Sequence, residues 1–151
     1  MNNEKIKIYC DGACSGNQFN DNKGGWGAIL LFKEKKKEIY GGEKNTTNQK
    51  MELTACIKAL ETIKTQKYPI EVYTDSAYLY NCIKQQWYKK WKLNGWKTSN
   101  KKDVKNRELW ENLTELIEKY NPKFFKVQGH ANNSLNEKAD ELANKGMQNI
   151  R

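Results

Sequence analysis

One short sequence pattern occurs twice and constrains the fold of this 151-residue chain more than any other feature. Ile8-Tyr9-Cys10-Asp11-Gly12 is echoed by Val72-Tyr73-Thr74-Asp75-Ser76, in which an apolar residue, a tyrosine and a small residue again lead to an aspartate. A helical segment separates the two strand-like runs, and such a crossover usually joins parallel strands. Asp11 and Asp75, each predicted at the last position of its strand, would then emerge at one sheet end, where ligands of α/β proteins bind.

The remaining apolar patterns predict three further strands. Residues 5–10 alternate apolar and polar side chains and meet a turn at Asp11-Gly12, so the first strand is expected to end there. Residues 24–32 and 37–40, the latter closed by Gly41-Gly42, continue an antiparallel meander. Residues 70–74 form the strand after the crossover, and residues 124–127 form a short fifth strand.

Helices are predicted between and after these strands. The apolar spacing after residue 52 indicates a helix capped by Thr47 or Asn48, and Ser76 can cap a second helix through about residue 85. Asn106 is expected to cap a helix that ends at Asn121-Pro122, and Asn136 to cap the last one. The prediction is one α/β domain over residues 1–151, with helices packed on a five-stranded mixed sheet, an antiparallel meander followed by parallel strands.

Two further acidic residues lie at the margin of apolar helix faces. Glu52 and Asp140 are each expected in the first turn of a helix, where either acid alone is adequately explained by the helix dipole. The dipole does not explain four acids that converge, because two like charges ~4 Å apart repel by about 4 kcal/mol at an effective dielectric near 20. Converging carboxylates need a cation, and all-oxygen ligation favours Mg²⁺ or Mn²⁺.

The charge of the chain indicates an anionic partner. The formal net charge is +9, and eight lysines lie between Lys84 and Lys105 against the single acid Asp103. A solvated charge run in a lysine-rich sequence is the simpler explanation. Trp87, Trp91 and Trp96 punctuate the same stretch, however, and aromatic side chains beside cations favour a nucleic-acid surface.

Composition excludes several other classes of protein. No apolar run approaches the roughly 20 residues that span a bilayer, and the first residues lack the apolar stretch of a secretory signal, so a cytoplasmic protein without membrane association is expected. The four cysteines are therefore interpreted as free thiols. A zinc site is disfavoured, since the chain has one histidine and no C-x-x-C pair.

The ordered motifs resemble the type 1 cellular ribonucleases H of bacteria over nearly the whole chain. The similarity rests on four segments that are weak singly and specific in this order: Asp11 to Asn17, Thr46 to Leu53, Thr74-Asp75-Ser76, and Gly129-His130-Ala131 followed by Asn136 to Ala143. The basic stretch from Trp87 to Asn106 resembles the helical protrusion of the bacterial members. The fold that this resemblance implies is the five-stranded mixed sheet already predicted.

The resemblance also implies an activity and its cofactor. The family hydrolyses the RNA strand of RNA/DNA hybrids without marked sequence specificity, leaving 5′-phosphate and 3′-hydroxyl ends. By this likeness Asp11, Glu52, Asp75 and Asp140 would hold two Mg²⁺ ions, which Mn²⁺ could replace. His130 would assist proton handling or product release; without the resemblance, an ordinary loop residue is an equal interpretation. The partner would be the hybrid, bound by a monomer.

Substrate-binding residues carry over from the same resemblance. Cys14, Asn17, Asn48 and Gln49 match positions that face the minor groove, where the 2′-hydroxyl distinguishes RNA from DNA. A second group resembles the pocket for a DNA-strand phosphate: Thr47, Lys50 and Asn106. A third group matches the protrusion: Trp87, Lys89, Lys90 and Lys92. Trp91 and Trp96 are expected to pack rather than to contact substrate.

Two departures and two rival functions accompany this interpretation. The loop at residues 18–23 is longer than usual and lacks the common prolines, and Ala77 replaces a polar side chain that some members use on the substrate. One rival is a non-catalytic nucleic-acid binding module whose acids only compensate helix dipoles. The other is a DNA nuclease of the same superfamily, such as a transposase or integrase core.

Overall fold

The computed structural model describes residues 4–16, 22–128 and 134–150. Its five strands are β1 (Ile6–Ser15), β2 (Lys23–Phe32), β3 (Lys35–Lys44), β4 (Ile70–Thr74) and β5 (Lys123–Lys126). The helices of the described residues are α1 (Asn48–Glu61), α2 (Ala77–Lys84), α3 (Trp87–Leu93), α4 (Arg107–Tyr120) and α5 (Ser134–Gln148). The strands form one sheet in the order β3-β2-β1-β4-β5.

The sheet is mixed, as the sequence predicts. β1, β2 and β3 form an antiparallel meander, whereas β4 pairs parallel with both β1 and β5. Cys10 lies opposite Thr74 in the parallel pair, so the aspartates that follow these two residues emerge side by side. The echoed pattern therefore predicted the correct pairing.

The prediction that β1 ends at Asp11 is wrong. β1 continues to Ser15, because β2 keeps pairing along it from Asp11 opposite Gly27 to Ser15 opposite Lys23. β3 is also longer than predicted, and Gly41 and Gly42 lie within it instead of closing it. Both differences follow from cross-strand pairing, which extends a strand beyond its own alternating pattern.

Helices cover both faces of the sheet. α1 and α4 pack on one face around a core that includes Ile8, Val72 and Trp110, all without measurable exposure. α5 covers β1, β2 and β3 on the other face, where Tyr9, Ile29 and three α5 positions form a second, smaller cluster. No helix of the described ranges is long and apolar enough to cross a membrane.

The helix caps agree with the sequence at two of four positions. Thr47 caps α1 by accepting the backbone N–H of Lys50 at 3.1 Å, and Ser76 caps α2 by accepting that of Leu79 at 3.1 Å. Asn106 precedes α4 in a left-handed conformation, but its side chain makes no capping bond. Asn136 is not a cap, because α5 begins at Ser134 and Asn136 lies within its first turn. The Asn136 side chain is buried.

The basic protrusion comprises α3 and the following residues 94–106. Trp96 is buried, and the Trp91 ring meets the Trp110 ring at 5.6 Å, so both side chains pack as expected. Asp103 accepts from Lys97 and Arg107, which ties the end of the protrusion to α4. The lysines of the protrusion are thus displayed on a segment that is packed against the domain.

Candidate active site

Three acidic side chains meet where β1 and β4 lie side by side. Asp11 is within β1, Asp75 follows β4, and Glu52 comes from α1, which packs on β1. One carboxylate oxygen from each of the three lies within 4.8 Å of the other two. Asp11 and Glu52 are buried, with 5% and 6% of their surfaces exposed. The spacing is suitable for a shared cation.

Gly12 allows this close approach of β1 and α1. A Cβ atom at this position would lie 2.6 Å from the Glu52 nitrogen and 2.7 Å from the Met51 carbonyl carbon. Any side chain here would push the helix away from the strand. The Gly12 N–H also donates to Oδ1 of Asp11 at 2.8 Å, which orients that carboxylate. Gly12 therefore both brings the acids together and directs one of them.

Asp140 reaches the site from the opposite face of the sheet. α5 packs tightly on β2, and a Cβ atom at Gly27 would lie 2.5 Å from the Ala143 nitrogen. Since Gly27 is the cross-strand partner of Asp11, this contact brings α5 next to the site. Asp140 lines the same cavity of about 440 Å³ as Asp11, Glu52 and Asp75. The structure thus brings all four predicted acids to one cavity.

The helix-dipole explanation does not suit Glu52 and Asp140. α1 begins at Asn48 and has no acid in its first turn, so Glu52 lies in the second turn. α5 begins at Ser134, which puts Asp140 in the second turn as well. The prediction that both acids lie in first turns is therefore wrong. The stabilisation by a helix dipole falls off beyond the first turn, so it does not account for these positions.

Burial and nearby negative charges make the ionised forms of Asp11 and Glu52 unfavourable. Burial is the largest cause that raises the pKa of Asp11 to about 8, and the charge of Asp75 is the next. The hydrogen bond from the Gly12 N–H lowers this pKa, but by less. Burial, with the charges of Asp11 and Asp75, raises the pKa of Glu52 well above its usual value. No Lys or Arg of the described ranges lies within 4.0 Å of the four acids. A bound cation would supply the missing positive charge.

Two of the residues predicted for the minor groove, Asn48 and Gln49, border the acids. Asn48 and Gln49 line the cavity, and Oε1 of Gln49 is buried without a hydrogen-bond donor among the described residues. Cys14 is half-buried, and its thiol lies 3.7 Å from the Thr46 carbonyl oxygen. At the cavity wall, Gln49 therefore carries a buried acceptor that no described group of the protein uses.

Asn22 supports this edge of the site, and no sequence pattern predicted that role. Its amide donates to the Thr46 carbonyl at 2.8 Å and accepts the Thr46 N–H at 3.0 Å. The pair spans 24 residues and is buried. It fixes the backbone that leads into Thr47 and Asn48, and only the tertiary structure reveals it.

A second cavity of about 660 Å³ contains part of the predicted phosphate pocket. Lys50 and Asn106 both line it, together with acidic residues and Arg107. Thr47 is not in the lining, and its Oγ1 accepts the N–H of Lys50 instead. Two of the three residues thus share a cavity, and the third caps the helix that carries Lys50.

The predicted protrusion residues divide into exposed and paired groups. Trp87 is 40% exposed, and Lys89 and Lys90 are exposed without a carboxylate within 4.0 Å in the described part of the chain. Lys92 instead donates to both carboxylate oxygens of Glu118, at 2.8 and 2.9 Å. His130, Asn17 and residues 18–21 of the longer loop lie outside the described residues.

Comparison with known proteins decides the family. The family model described as RNase H matches residues 3–148. The chain belongs to the RNase H family. Ribonuclease H of Acetivibrio thermocellus is 50% identical over 140 residues, which are 93% of this chain and 92% of that protein. Its relatives are named Ribonuclease H, and this RNase H family member is likewise an endoribonuclease and thus a hydrolase.

Solved structures agree with the fold of the RNase H family member. LC9-RNase H1, a type 1 RNase H with the type 2 active-site motif, superposes with a TM-score of 0.84 at 25% identity, covering 98% of this chain and 74% of that one. LC11-RNase H1 in complex with RNA/DNA hybrid gives 0.69 at 21% identity, covering 95% and 97%. The five-stranded mixed sheet is thus the RNase H fold.

Proposed function

We propose that the chain cleaves the RNA strand of RNA/DNA hybrids with two divalent cations held by Asp11, Glu52, Asp75 and Asp140. The observation that carries this proposal is the meeting of three carboxylates within 4.8 Å in a cavity that Asp140 also lines. No cationic side chain of the described residues neutralises them, so the donor set suits a hard, oxygen-ligated cation such as Mg²⁺, which Mn²⁺ can replace.

The chain's own groups would bind and orient the reacting strand. When bound, the two cations supply an activated water and stabilise the leaving 3′ oxygen, so that the products carry 5′-phosphate and 3′-hydroxyl ends. The Gly12 N–H keeps Asp11 directed into the cavity, and the rigid β1–α1 contact keeps Glu52 beside it. His130 is proposed to move protons near the leaving group or to assist product release.

Recognition of the RNA strand is proposed for the cavity edge. Oε1 of Gln49 is buried without a donor among the described residues. If the side chain turns towards the cavity, a 2′-hydroxyl can supply that donor, whereas the sugar of DNA cannot. Asn48, Cys14 and Asn17 would extend this minor-groove surface. LC11-RNase H1 was solved in complex with RNA/DNA hybrid and shares the fold, which supports a hybrid as the partner here.

Binding of the DNA strand and backbone is proposed for two further surfaces. Lys50 and Asn106, with Thr47 at the helix cap, would hold a phosphate in the second cavity. Trp87, Lys89 and Lys90 would track the duplex backbone without sequence preference. We also propose that residues 1–151 act as one domain and as a monomer.

Three labelled duplexes test the activity. The protein is incubated with RNA/DNA hybrid, double-stranded RNA and double-stranded DNA in the presence of Mg²⁺, and the ends of the products are mapped. We expect cleavage of the RNA strand of the hybrid alone, with 5′-phosphate ends. Cleavage of double-stranded DNA would instead favour the transposase-like or integrase-like rival.

The Asp11→Asn variant tests the site. It keeps the shape of the side chain but removes a charge that holds the cation, so cleavage should be lost while binding of the hybrid is retained. Unchanged cleavage would refute the assignment of the four acids. A wild-type protein that binds the hybrid without cleaving it would instead favour the binding-module rival.

A further inference from the structure

The hydroxyl of Tyr78 links the two cavities of the site. Tyr78 lines the cavity of the four acids, whereas Asn106 lines the neighbouring cavity with Lys50. The phenolic oxygen accepts the indole N–H of Trp110 at 2.8 Å and the side-chain N–H of Asn106 at 3.2 Å. The Tyr78 ring also meets the Trp110 ring edge-on at 5.9 Å. Tyr78 is therefore held by a fully buried tryptophan and in turn holds an amide of the second cavity.

In the structure the Asn106 amide turns an N–H towards the Tyr78 hydroxyl. An indole N–H can only donate, so the phenolic oxygen accepts from Trp110 and keeps a second lone pair that accepts the Asn106 N–H. The backbone of Asn106 is left-handed, with φ of 61°, and its side chain makes no capping bond to α4. The bond to Tyr78 is therefore the contact that orients this amide among the described residues.

We propose that Tyr78 is a positioning residue for anion binding in the second cavity. It holds one N–H of the Asn106 amide, so that the second N–H, and not the carbonyl oxygen, is presented beside Lys50. A phosphate only accepts hydrogen bonds, so a flipped amide would present a repelling oxygen to it. The inference rests on the proposed function in one respect, namely that the anion is a substrate phosphate.

The Tyr78→Phe variant tests this role because it keeps the ring and removes only the oxygen. The dissociation constant for uncleaved hybrid is measured in EDTA, and KM and kcat are measured with Mg²⁺. We expect the dissociation constant and KM to rise roughly 3- to 10-fold, the range for one hydrogen bond, with kcat changed less than about twofold. In an Asn106→Ala background the same substitution should change the dissociation constant less than about twofold.

Tyr120→Phe provides a matched control. Tyr120 is half-buried, and its hydroxyl donates to the Ile63 carbonyl at 2.7 Å. Neither residue lines either cavity, so the variant should lose one hydroxyl bond without an effect on hybrid binding. Tyr78→Phe leaves the Trp110 N–H unpaired and could therefore fail to fold. In that case the double variant Tyr78→Phe/Trp110→Phe is compared with the single variant Trp110→Phe. We expect the same 3- to 10-fold loss of affinity between these two.

The outcomes separate this inference from the proposed function. Unchanged binding in Tyr78→Phe, or an equal loss of affinity with and without Asn106, would overturn the positioning role while hybrid cleavage by the wild-type protein stands. A wild-type protein that neither binds nor cleaves the hybrid would overturn the proposed function instead. A loss of affinity shared by Tyr120→Phe would show a general effect of stability and would also refute the role.

Discussion

Asp11 lies among carboxylates whose mutual repulsion a bound cation would relieve. It is buried, it faces Asp75 and Asp140, and only the Gly12 N–H opposes the rise of its pKa to about 8. The residue types alone suggested a metal site, and the packing around Asp11 gives the reason why its ionised form is unfavourable without a metal. The consequence is measurable as stability as well as activity.

Removing the Asp11 charge should stabilise the metal-free protein. At pH 8 in EDTA we expect the Tm of Asp11→Asn to exceed that of the wild-type protein, because repulsion and burial of a charge are both relieved. A gain of 1 kcal/mol corresponds to about 2–4 °C for a chain of this size. Thermal unfolding with and without Mg²⁺ measures it. The control variant Glu115→Gln, at an exposed acid of α4, should leave the Tm unchanged both with and without Mg²⁺. A lower Tm for Asp11→Asn than for the wild-type protein in EDTA would contradict the proposed repulsion.

At the scale of elements, α3 differs from the expectation based on its composition. The lysines of the protrusion are alike in sequence, yet Lys92 pairs with Glu118 of α4, whereas Lys89 and Lys90 have no such partner among the described residues. Trp91 and Trp96 pack inward, and Trp87 remains exposed. No sequence pattern distinguished Lys89, Lys90 and Lys92, because the partner of Lys92 lies 26 residues away, in another helix.

The lysines of α3 should therefore differ in their contribution to hybrid binding. Replacing Lys89 and Lys90 by Ala should weaken binding. It should also make the negative slope of log K against log salt shallower by about 0.9 for each phosphate that is no longer neutralised, as for B-DNA. Lys92→Ala should change the slope less. Lys35→Ala with Lys36→Ala removes the same charge from the start of β3, at the opposite end of the sheet, and should leave the slope unchanged. Equal slopes for both double variants would exclude α3 as a phosphate-binding surface.

At the scale of the whole molecule, the site costs stability that a cation would restore. The close approaches at Gly12 and Gly27 bring α1 and α5 onto the sheet, and acids from separate segments thereby converge in one cavity. Asp11 and Glu52 both have raised pKa values, so the folded metal-free protein binds protons that the unfolded chain releases.

The stability of the metal-free protein should fall as the pH rises. Asp11 has a pKa near 3.8 when unfolded and about 8 when folded, so the folded state holds more protons between these values. The free energy of unfolding therefore decreases from about pH 4 to about pH 8 and then levels off. Denaturant unfolding in EDTA across this range measures the trend, and saturating Mg²⁺ should reduce it. A free energy that rises towards pH 8 in EDTA would refute the raised pKa values.

The sequence by itself determined the parallel pairing of β1 and β4 and the main helices, and it singled out four acids that the structure brings to one cavity. These features follow from local periodicity and from motifs that are contiguous in the chain. Only the tertiary structure decided that β1 runs on past Asp11 and that Glu52 and Asp140 lie beyond the first turns of their helices. It alone also revealed Asn22 and Tyr78, because their hydrogen bonds join groups 24 to 32 residues apart, and such pairings depend on how elements pack and not on local sequence.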